Sequence, residues 1–178
     1  MRVTAAVVQN APAGMRRAGP EMTDRDVAGE HYDMISEIID KWGLMVQCVG
    51  AGADTQAFAY TVGLAKLDHP ELIIFGLSQE NAQAVLNSMG LPVVAKSRRW
   101  GPGRSDEVFA GSMPAMLVEV RDSADYLLAA NSMFAIPGQG PVPALQVLYP
   151  DAGGLWPWQE GSTVADEPVL GAVPPRDR

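Results

Sequence analysis

The chain has 178 residues, a formal net charge of −8, and 47% hydrophobic against 19% charged residues. That length suits one domain with a sizeable core, the composition excludes a disordered polymer, and the charge excludes a broad nucleic-acid or anionic-membrane surface, which needs clustered Lys and Arg. Cys48 is the single cysteine, so an internal disulfide and a cysteine zinc site are excluded, and a reducing cytoplasmic setting is expected.

Residues 1–22 mix Ala, Pro, Gly and Arg without period, apart from an edge-strand candidate at residues 3–9, and read as a flexible tail. No window approaches the roughly 18 apolar residues of a membrane span, and no secretory leader is expected in the first residues, whose apolar patch is short and followed by more basic residues. From Thr23 the pattern changes. Val27, His31, Met34, Ile35, Ile38, Ile39 and Trp42 recur at three- and four-residue spacing behind a capping TDRD, which predicts an amphipathic helix closed by Gly43. A strand follows over residues 44–49, then the turn GAGADTQ. Next come two apolar, β-branched runs, AYTV and ELIIF, each ending in Gly-Leu and joined by a polar connector that holds His69. Ser78 caps a second helix that ends before Gly90.

Residues 91–95 read as another strand, leading into KSRRWGPGRSDE, the one basic cluster in an acidic chain. AMLVEVR alternates as a half-buried strand. Asp122 or Ser123 caps a third helix reaching Met133 or Phe134, IPGQGPVP breaks it, and residues 144–149 give a last strand before PDAGGLWPWQEG. From about residue 163 the chain is Pro-rich and reads as a loosely held C-terminal tail. Strands and helices without regular alternation predict a single α+β domain over residues 23–162, with a mainly antiparallel or mixed sheet and about three helices. GAGADTQ precedes a strand pattern, so it is not a dinucleotide fingerprint.

AFAYTVGL, then HPELIIFGL with a helix after it, and ALQVLYPDAGGLWPWQEG together resemble the bacterial and phage family catalogued as domain of unknown function 4262, over about residues 31–170. The resemblance implies no established activity and brings no catalytic residues. Here Leu-Trp-Pro-Trp stands where a single aromatic before Pro-Trp is the family's habit. A looser likeness rests on element order alone. A strand with Thr, a connector ending in Pro, an apolar strand and a Ser-led helix are similar to the opening of flavin-reductase-like split barrels, which would make flavin a cofactor candidate and Thr61 a phosphate contact.

His69 between Asp68 and Glu71 is the weak catalytic candidate, as general base; the plainer alternative is a turn in which His69 bonds backbone. Only His31 could join it on a metal, and its helical spacing among Val27, Met34, Ile35 and Ile38 points to packing or a half-exposed face, so no metal site is expected. Tyr60 and Thr61 point to opposite strand faces, one toward a pocket and one toward the core. Asp151 and the glycines after it make a tight turn, and Trp156 and Trp158 would face opposite sides of an extended segment, one plugging the core. Arg98, Arg99 and Arg104 could grip an anion through their guanidinium forks or simply be solvated. No nucleophile elbow, P-loop, HExxH or CxxC is present. The expected site is a pocket between the central strands and the Trp-rich turn, formed by Tyr60, Thr61, His69, Glu71, Asp151 and Trp158, taking a small anionic ligand such as a flavin or nucleotide. The alternative is a non-enzymatic interaction module whose acidic surface docks a protein partner. A monomer or small homo-oligomer is expected in either case.

Overall fold

Apolar residues on both faces of the central strands force helices onto both sides of one sheet. The structure, a computed structural model, describes residues 24–53, 55–109 and 113–173; the tail expected over residues 1–22, its edge-strand candidate and the Thr23 cap lie outside them. The strands are β1 (Met45–Val49), β2 (Phe58–Val62), β3 (Glu71–Phe75), β4 (Gly103–Ser105), β5 (Ala115–Glu119) and β6 (Ala144–Leu148), in the order β1-β2-β3-β6-β5-β4. Neighbours are antiparallel except β3 and β6, which are parallel, so the sheet is mixed. With α1 (Asp24–Trp42), α2 (Gln79–Val94) and α3 (Leu128–Phe134), the fold is the α+β domain that the sequence patterns predict.

Strand alternation sorts the core. Ala59, Leu72 and Ile74 pack with Leu86 and Met89 of α2 on one face, while Tyr60, Val62, Ile73 and Phe75 pack with Ile35 and Ile39 of α1 and Ala129 of α3 on the other. Each large side chain so buried contributes roughly 1.5–3 kcal/mol. In α1 the buried stripe is Ile35 and Ile39, and His31 and Met34 are exposed rather than on the core face. Among the described residues no helix is long and apolar enough to cross a membrane.

Several local readings change. Residues 91–95 are not a strand, because α2 continues through Gly90 and Pro92 to Val94. Gly90 is there for packing: a Cβ would sit 2.6 Å from Leu44 Cδ2. β4 lies inside the basic loop and leaves no apolar signature, since Gly103, Arg104 and Ser105 pair with β5 through backbone. α3 starts at Leu128, because the Ser123 hydroxyl donates to Val142 O instead of capping a helix. The sheet is open, with β1 and β4 as its edges, so the likeness to flavin-reductase split barrels stops at element order.

Residues 163–170 lie against the sheet. Gln146 Nε2 donates to Pro168 O (2.6 Å) and Gln146 Oε1 accepts from Leu170 N (2.7 Å), as a neighbouring strand would. Tyr149 Oη lies 3.0 Å from Phe75 O and 2.7 Å from Glu167 Oε1. The stretch read as loosely held is therefore tied down as far as Leu170.

Candidate functional site

Connector residues 63–70 are shaped by a break in the ladder between β2 and β3. Pairing ends at Tyr60 with Ile73. One position on, Leu72 N donates to Thr61 Oγ1 (2.8 Å) instead of a carbonyl, and the Thr61 hydroxyl donates to Glu71 Oε2 (2.6 Å). Glu71 Oε1 accepts from Gly63 N (2.8 Å) and Ala65 N (3.0 Å), so the carboxylate closes the start of the 3₁₀ turn Leu64–Leu67 much as an N-cap side chain would. Gly63 makes this possible. Its φ is +122°, and a Cβ would lie 3.1 Å from Gly43 O.

Glu71 is completely buried. Loss of water pushes its carboxyl up to about 7, against the opposing pull of Thr61 and the backbone N–H donors. The charged form is thus held by three donors and penalised by the dry site, and the penalty is larger. Beside it, His69 is 3% exposed. Its Nδ1 donates to Pro70 O (2.7 Å) and its Nε2 accepts from Trp100 N (2.9 Å), which fixes a neutral imidazole with the proton on Nδ1. Burial lowers its basicity, Pro70 O opposes that, and nearby Arg99 adds to it. With both nitrogens engaged, the ring has no lone pair to offer as a base in this arrangement.

A cleft of about 460 Å³ lies between this connector and the α3–β6 loop. Ala65, Asp68, His69, Pro70 and Arg99 form one side, and Phe134, Ile136, Gln139, Pro141 and Pro143 are prominent on the other. The second wall is fixed by one side-chain and one backbone bond: Asn131 Oδ1 accepts from Val142 N (2.8 Å), and the Glu71 backbone N donates to Pro143 O (2.9 Å). Arg99 donates to Asp68 O (2.5 Å) and forms no ion pair among the described residues. The cleft is thus mostly apolar and carries one guanidinium. Its volume falls within the usual range of small-ligand sites, roughly 300–1,000 Å³.

The other sequence candidates fall elsewhere. Tyr60 is buried on the α1/α3 face and its Oη accepts from Ala129 N (3.2 Å); burial raises its phenol and outweighs the opposing pull of that bond. Asp151 and Trp158 do not line this cleft, whose second wall is the α3–β6 loop and not the Trp-rich turn. Asp151 Oδ1 accepts from Gly153 N (2.8 Å) and Leu155 N (2.9 Å), and Oδ2 from Thr163 N (2.9 Å) and Thr163 Oγ1 (3.1 Å). Trp156 and Trp158 do not face opposite ways: their rings stack at 5.2 Å and 13°, because the segment turns, with Gln159 N donating to Trp156 O. Arg98 pairs with Glu107 and lies over the Trp100 ring, and Arg104 pairs with Asp106, which leaves Arg99 as the loop arginine facing the cleft. Among the described residues no cluster of three His, Cys, Asp or Glu could hold a metal ion.

Sequence reasoning missed the far wall and Trp100. IPGQGPVP reads as a helix breaker, yet its Ile136, Gly140, Pro141, Val142 and Pro143 build a preset, largely apolar wall. Trp100 is joined to His69 through its backbone, a link that no side-chain pattern reveals.

Residues 38–163 match the family model described as Domain of unknown function (DUF4262), and the chain belongs to that family. No curated protein and no solved structure matches it.

Proposed function

We propose that this DUF4262 member binds a small anionic ligand with an apolar body in the cleft between the connector and the α3–β6 loop. The observation that carries the reading is Arg99, a guanidinium without a carboxylate partner among the described residues, set in an otherwise largely apolar, ligand-sized cleft. Phe134, Ile136 and Pro141 would face the ligand body, and Arg99 its anionic group. A flavin mononucleotide and an aromatic carboxylate are two such shapes. The unpaired Cys48 supports a cytoplasmic setting.

The test is calorimetric titration with flavin mononucleotide, adenosine monophosphate and naphthalene-1-sulfonate. At least one should bind with unit stoichiometry, and Arg99→Ala should weaken it about tenfold, the scale of one charge-assisted contact. Absence of heat for all three, or binding unaffected by Arg99→Ala, would sink the reading.

A second reading, a module that docks a protein partner, draws on the net charge of −8 and on two exposed apolar residues, Leu128 at the start of α3 (64%) and Ile136 in the cleft lining (56%). A lysate partner that is held at low salt and lost at high salt, in competition with naphthalene-1-sulfonate, would favour it.

A further inference from the structure

His69 walls the cleft, and one of its two bonds reaches a separate segment. Nδ1 donates to the adjacent Pro70 O, whereas Nε2 accepts from the backbone N–H of Trp100 at 2.9 Å, 31 residues along the chain. Nε2 can accept only while it carries no proton. Next to this joint, Arg99 donates to Asp68 O (2.5 Å). The indole of Trp100 is tied to α2 instead, through Met89 O (3.0 Å). The imidazole and Arg99 are thus two clamps between the connector and the basic loop.

We propose that His69 is an acid-released latch: a proton on Nε2 sets one N–H against another, breaks the bond to Trp100, and frees the loop around it, taking Arg99 away from the cleft wall. The charged groups around the ring are few. Arg99 faces it from the loop and opposes a second cation, Asp68 lines the same cleft, and the Glu71 carboxyl beside it is turned to Thr61, Gly63 N and Ala65 N. Arg98 is occupied by Glu107 and the Trp100 ring, and Lys66 pairs with Asp40 of α1. The lining from the α3–β6 loop brings no charged side chain. Burial of the imidazole keeps the latch shut at neutral pH. Loss of an anionic ligand on acidification follows only if the cleft reading above holds; the latch itself does not depend on it.

The test uses the ligand-free full chain in an NMR titration that follows the His69 ring Cε1–H and the exchange protection of the Trp100 amide together. Both should change in one transition. As pH falls from neutral through the ring's own lowered transition, Trp100 protection should fall at least about tenfold while the Ile73 amide in β3 keeps its own. His69→Gln, whose side-chain oxygen can accept the same N–H without titrating, should keep Trp100 protected throughout. Unchanged protection across the ring's titration, an equal loss in His69→Gln, or a ring that stays neutral down to acid unfolding would each overturn the latch. The wild-type titration decides the matter even if the variant does not fold. Because no readout involves a ligand, failure of anionic probes to bind at neutral pH would count against the cleft reading alone.

Discussion

Two carboxylates in this protein do the same job and are driven in opposite directions. Glu71 accepts from Gly63 N, Ala65 N and the Thr61 hydroxyl; Asp151 accepts from Gly153 N, Leu155 N and both donors of Thr163. Each organises a turn through backbone N–H groups. Yet Glu71 is pushed up to about 7, whereas the Thr163 and Leu155 amides hold Asp151 below its ordinary range. The difference is water. Glu71 is sealed between β2, β3 and the connector, and Asp151 stands in an open loop, so the same donors prevail in one place and are outweighed in the other. A count of hydrogen bonds therefore does not give the sign of a shift, and it does not mark a ligand site either. The turn around Asp151 satisfies itself, while the connector around Glu71 also forms one side of a cleft.

The largest test of that contrast is Glu71→Leu. It leaves two backbone N–H groups and a hydroxyl buried without acceptors, and should cost about 3–5 kcal/mol in urea unfolding. A cost below about 1 kcal/mol would mean that water reaches the connector and that the site is not sealed.

Glu71→Gln sharpens the comparison through pH. A carboxyl raised above its unfolded value keeps its proton in the folded state after the unfolded chain has lost it. Its contribution to stability is therefore fullest below about 4.5 and falls as pH rises to about 7, by on the order of 3 kcal/mol. His69, with its imidazole lowered, acts the other way and removes stability as pH falls below about 6.5. Subtracting the Glu71→Gln stability curve from that of the wild type isolates the carboxyl. A flat difference across that window would show that its ionisation does not change on folding.

Asp151→Ala should have a smaller effect on stability than either change at Glu71 would have if both lost all their bonds, and it should act locally. The expected sign is faster proteolytic nicking within residues 152–162, with the cleft unaffected. For Asp151 itself, stability is present above about 3.8 and lost only as pH falls further, through its lowered folded value. Global unfolding in step with the nicking would make this turn part of the core instead. Arg99→Ala is the smallest change for the fold, within about 0.5 kcal/mol of wild type, because the side chain is exposed and its one bond is to an exposed residue. A larger loss would assign Arg99 to structure rather than to a ligand.

Much of the fold was legible because periodicity reports burial. Ile35 and Ile39 announced α1, and Ser78, whose side chain accepts from Asn81 N, announced α2. FAYTV and ELIIF announced the paired central strands. What stayed hidden depends on tertiary contact. Gly90 reads as a stop until Leu44 packs over it, β4 has no apolar residue to betray it, and Ser123 reads as a cap until Val142 takes its hydroxyl. The candidate site was half legible. His69 and Arg99 line the cleft, whereas Thr61 and Glu71 are buried and hold the connector from within, and a glutamate opening a strand gives no sign that it is buried. The apolar wall from the α3–β6 loop looked like a simple break, and Asp151 and Trp158 belong to a turn of their own.

The most direct measurement is backbone amide shift mapping with naphthalene-1-sulfonate at neutral pH. The account predicts perturbations gathered on Ala65, His69, Arg99 and the residues from 134 to 143. Perturbations gathered instead on Asp151, Trp156 and Trp158, or scattered without a centre, would contradict it.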